Sequence, residues 1–148
     1  MKVKALQIRN AIFWVLIAIF AALVAGMANR WRFLGHKLPF SIFAFLGIAF
    51  GVLAVALVVL TAKLKEPGIR KLFLILTGAS AVGIPICAVL HNLVYALCVK
   101  FGWVFWGKGG DEAVFFILAV LVCPALFVIG MLGSLVLLIF ARLRKKES

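Results

Sequence analysis

Carboxylates are the scarcest chemistry in this sequence. Its 148 residues hold only four acidic side chains, Glu66, Asp111, Glu112 and Glu147, against sixteen lysines and arginines. None of the four falls inside a long apolar run, so no carboxylate pair is placed to share acid and base work in a cleft. Cysteine is nearly as rare: Cys87, Cys98 and Cys123 all lie within or at the ends of apolar stretches. None stands at CxxC spacing or groups with histidine as zinc ligands do. They read as small packing residues, and the sequence implies no metal and no cofactor. No nucleophile–base pair and no phosphate-binding loop is present, which argues against an enzyme.

What is present is apolar. Hydrophobic residues make up 67% of the chain and charged residues 14%, with a mean hydropathy of +1.27. Soluble domains carry about 25% charged residues, so the composition indicates an integral membrane protein. A net charge of +12 would suggest nucleic acid in a soluble chain. Here the cations flank apolar runs, where they set topology and touch anionic headgroups. The expected partner of the basic loops and the C-terminal tail is therefore the lipid bilayer, with no nucleic acid.

Four apolar stretches, 11–28, 40–62, 72–98 and 112–141, approach or exceed the ~20 residues that a membrane helix needs. The expected fold is all-α, a single domain of four antiparallel transmembrane helices. The first stretch competes with a signal peptide, whose apolar core is usually only ~7–15 residues; a retained helix fits its length better. The N-terminal ten residues, MKVKALQIRN, read as a polar segment outside the bilayer. Asn29 to Leu38 reads as a polar hairpin, Lys63 to Lys71 as a second turn marked by Pro67-Gly68, and Val99 to Asp111 as the longest loop.

Cations set the orientation. Eleven of the sixteen lie on the N-terminal tail, the second loop and the C-terminal tail, so both termini are expected in the cytoplasm of a multi-pass cell-membrane protein. Trp31, Trp103 and Trp106 then fall at the outer boundary and Trp14 near the inner one, where indole rings prefer to sit.

The third stretch carries most of the polar chemistry. Thr77, Ser80, Cys87, His91 and Cys98 recur at helical spacing, with Tyr95 one turn beyond His91. His91 is the only ionisable group deep in a span, a position that usually faces the bundle interior or marks a functional path. Ser80, Cys87, His91 and Tyr95 are therefore the candidate lining of a small-molecule, lipid or ion site. Pro85 and Pro124 each remove a backbone bond near mid-membrane and are candidate kinks. Asp111 and Glu112, at the outer mouth, suit the start of the fourth helix: Asp111 as a cap and Glu112 at the positive end of the dipole.

Small residues recur every four positions at Ala18/Ala22/Gly26, Gly47/Gly51, Ala79/Gly83 and Gly130/Ser134. Such faces let helices approach closely, and four helices need only some of them among themselves. The leading expectation is a non-catalytic accessory or scaffolding subunit that acts through helix–helix contact with a membrane-protein partner or with its own copies. The alternative is the binding or permeation site along the third helix. An intramembrane redox enzyme trails both.

Overall fold

A computed structural model describes residues 2–32, 40–64, 68–102 and 113–147. Helix α1 spans Lys2–Arg32, α2 Phe40–Lys63 and α3 Ile69–Phe101. A fourth rod consists of α4 (Ala113–Ile117), a single π-turn (Leu118–Val122) and α5 (Cys123–Glu147). All four rods are long and apolar enough to cross a membrane. Among the described residues there are no strands. Large apolar side chains cover the outside of the bundle, with Phe45 71% and Ile48 69% exposed. Such a surface suits hydrocarbon and not water.

The helices extend beyond the apolar runs. Helix α1 begins at Lys2 and continues to Arg32, taking in the expected N-terminal tail and the first residues of the expected hairpin. At 1.5 Å per residue its 31 residues reach about 46 Å, well over a ~30 Å hydrocarbon core. The remainder of that hairpin, residues 33–39, lies outside the described residues, as do residues 65–67 and 103–112. The expected capping by Asp111 and Glu112 falls in the last of these.

Two glycines set the ends of α3. Gly68 precedes it at φ 130, and Gly102 follows it at φ 65 in the left-handed region, its N–H bonded to the Cys98 carbonyl. Side chains with a Cβ avoid both conformations. Lys71 ties this start to the end of α2: its Nζ donates to the Ala62 carbonyl at 3.3 Å and the Leu64 carbonyl at 3.1 Å. Carbonyls at a helix C-terminus lack intrahelical partners, and a cation there also offsets the dipole.

The core is built from stripes at three- and four-residue spacing. Phe13 and Leu16 come from α1, Phe50, Ala54 and Leu57 from α2, Leu74 and Ala81 from α3, and Phe127 from α5. At its centre Phe20, Phe50 and Phe127 form a triangle, with ring centroids 4.5, 5.6 and 6.2 Å apart. Helix α3 packs most extensively, between α2 and α5. Gly51 lies over Pro85 and Gly78 over Val58; on the other side Gly83 meets Cys123 and Gly130 meets Thr77. In both sets one number rises as the other falls, so α3 runs opposite to α2 and to α5.

The two prolines behave differently. Pro85 lies inside an uninterrupted α-helix. Pro124 follows the π-turn, in which the Cys123 N–H reaches back five residues to the Leu118 carbonyl. The widened turn relieves the clash that a proline ring makes with the carbonyl four residues before it.

These close approaches give a paired test. A Cβ at Gly130 would lie 2.6 Å from Thr77 Oγ1, 2.8 Å from its backbone nitrogen and 3.0 Å from the Phe73 carbonyl oxygen. Gly130→Ala must therefore push α5 from α3, and we expect a loss of about 1–3 kcal/mol. Gly47 has nothing within 4 Å of that position, and Gly47→Ala is expected to be neutral or slightly stabilising. Unfolding in mixed micelles compares the two.

Candidate functional site

The polar groups of α3 divide among different neighbours. Thr77 is fully buried and its Oγ1 donates to the Phe73 carbonyl at 2.7 Å. The Ser80 hydroxyl, also buried, has the Leu76 carbonyl at 2.6 Å and the Thr77 carbonyl at 3.1 Å. Both bond back to their own helix, which is how hydroxyls remain satisfied in an apolar span. They line the packed contact with α5.

One turn past Gly83, Cys87 reaches the fourth rod, where its thiol lies within hydrogen-bonding reach of the Cys123 thiol. Glycine makes the approach possible, because a Cβ at position 83 would lie 2.7 Å from Cys123 Sγ. The sequence shows no cysteine pair, yet the fold makes one. Among the described residues, no group of three or more His, Cys, Asp or Glu side chains comes together as a metal would require.

His91, one further turn along, is half-buried with its ring against Phe116 of α4, the centroids 5.4 Å apart at 53°. Asn92 turns away from it; its Nδ2 donates to the Ala88 carbonyl at 2.8 Å on the exposed side of the helix. Tyr95 is 46% exposed and faces out of the bundle. The register that sets Pro85 over Gly51 places Tyr95 level with the first residues of α2. Of the four candidate lining residues, Ser80 is interior, Cys87 and His91 face the fourth rod, and Tyr95 faces outward.

A second polar locus lies at the opposite end of the bundle. Arg9 is 1% exposed, although it belongs to the segment expected outside the bilayer. It sits four residues before Phe13 on the buried stripe that continues through Leu16 to Phe20. Beside it Asn10 Oδ1 accepts a 3.1 Å hydrogen bond from Arg70 Nη2, which joins the starts of α1 and α3. Thr61 lies three turns from Phe50 on α2, as Arg9 lies three turns from Phe20 on α1, so the register of that aromatic pair sets them level. Thr61 and Ser134 are fully buried. The signal for this locus is present in sequence as the spacing Arg9, Phe13, Leu16, Phe20.

The fold and its apolar surface define an all-α, multi-pass membrane protein. Comparisons with protein-family models, with curated proteins and with solved structures give no match.

His91→Leu keeps the bulk and removes the ring facing Phe116. We expect unchanged helix content and a loss of about 0.5–1.5 kcal/mol, measured by thermal unfolding in micelles. Unchanged stability with loss of a co-purified small molecule would instead mark His91 as a ligand contact.

Proposed function

We propose that the chain is a non-catalytic accessory or scaffolding subunit that holds a transmembrane helix of a partner protein against α1. The observation that carries this reading is the outer face of α1. Ala11, Val15, Ala18, Ala22 and Ala25 are exposed and recur at three- and four-residue spacing, opposite the buried stripe of Arg9, Phe13, Leu16 and Phe20. On the other rods large side chains such as Phe45, Ile48, Leu93, Leu121 and Phe140 face outward, and exposed alanines such as Ala79, Ala96 and Ala125 stand apart from one another. Lipid chains accommodate bulky side chains readily, whereas a flat alanine surface gains most from another helix at close range.

The other small residues support the same assignment. Gly51, Gly78, Gly83, Gly130 and Gly133 are all taken up by contacts inside the bundle, and Gly26 lies against Phe43. Gly47 stays open as a single position, and the alanine face of α1 is the longer run of small residues outside these contacts. In this reading the protein resides in the cell membrane with both termini in the cytoplasm. Its basic loops and tail then rest on anionic headgroups, and the partner helix lies beside α1.

The double variant Ala18→Leu, Ala22→Leu tests it. These positions lie outside the bundle, so the isolated chain should unfold as before. Steric loss of the alanine face should cost at least about 1.4 kcal/mol of association, a tenfold fall in recovered partner. Undiminished recovery of the same partner would overturn the proposal.

A further inference from the structure

We propose that Cys87 and Cys123 form a redox couple within the membrane, a dithiol that a lipid-soluble quinone oxidises to a disulfide joining α3 to the fourth rod. The pairing is built into the packing. Gly83 provides the notch that receives Cys123 Sγ, and Cys87 lies one turn further on the same helix with its thiol within hydrogen-bonding reach. Cys123 is also the residue on which the π-turn closes, and π-turns recur at functional positions in helices.

Depth selects the oxidant. Cys87 is two residues from Pro85, which packs over Gly51 beside Phe50; Cys123 is one turn from Phe127. Both thiols therefore lie near the level of the central aromatic triangle, about 15 Å or more along the rods from either end. Water-soluble disulfides do not partition there, and quinones do. Both cysteines are half-buried, so each keeps some surface on the outside of the bundle, where a molecule dissolved in the bilayer can reach it.

The reaction balances within this pair of reactants. Two S–H bonds break and one S–S bond forms, while two protons and two electrons pass to the quinone and yield the hydroquinone. The product is a neutral apolar bridge in place of two thiols, well suited to hydrocarbon, and it fixes α3 against the end of the π-turn. Cys98, buried near the outer end of α3, stays a free thiol and serves as the internal control.

The full chain in liposomes, exposed to a decyl-substituted benzoquinone, should lose the mass of two hydrogens and form one hydroquinone per chain. Peptide mapping should join Cys87 to Cys123 and leave Cys98 open to alkylation after denaturation. Cys98→Ser should react as the wild type does, whereas Cys87→Ala and Cys123→Ala should not form the bridge. Mapping the wild type needs no variant, so a poorly folding substitution leaves the test intact. Three free thiols after exposure, a bridge through Cys98, or a covalent quinone adduct in place of the mass loss would each overturn the proposal.

Discussion

Close approach of backbones around α3 is the constraint on which the rest of the structure depends. Lipid tails are as apolar as leucine, so burying apolar surface gives membrane helices little reason to associate; packing and interhelical bonds must supply it. Here glycine supplies the packing on both sides. Val58 presses on Gly78 from α2, while Phe73 and Thr77 press on Gly133 and Gly130 of α5. The same contacts fix the register, and the register decides which polar groups meet. Cys87 faces Cys123 because Gly83 admits the Cys123 sulfur.

One end of the bundle is held by a different chemistry. Arg70 reaches Asn10, Lys71 reaches the last carbonyls of α2, and Arg9 is buried on the core stripe of α1. Charge at this end is thus structural. Placing it here leaves the middle of each rod to aromatic rings, glycines and self-satisfied hydroxyls.

The four rods were legible in sequence because length and apolarity alone decide what spans a bilayer. Their ends were less so. The segment 2–10 contains no glycine or proline to stop a helix, and its polarity hid the fact that Arg9 continues the Phe13–Leu16–Phe20 stripe. The interior placement of Thr77 and Ser80 followed from spacing, and so did the divergence of His91 from Asn92. Spacing within one helix carries no information on the register between helices. The thiol pair, with partners on separate rods, and the outward turn of Tyr95 both depend on that register. The π-turn before Pro124 marks a further limit: a proline announces a broken bond, and the surrounding packing decides whether the helix bends or widens.

With the glycines of α3 and α5 taken up inside the bundle, α1 carries the longer outward run of small residues, and a partner's helix on that face is the central claim. Photo-crosslinking in the native membrane tests it most directly, with a benzophenone side chain placed at Ala18 and, for comparison, at the lipid-facing Ile48. From Ala18 we expect a discrete adduct with one other membrane protein, and from Ile48 only lipid adducts. Lipid adducts alone from both positions, or an Ala18 adduct of twice the 16.1 kDa chain mass, would contradict it.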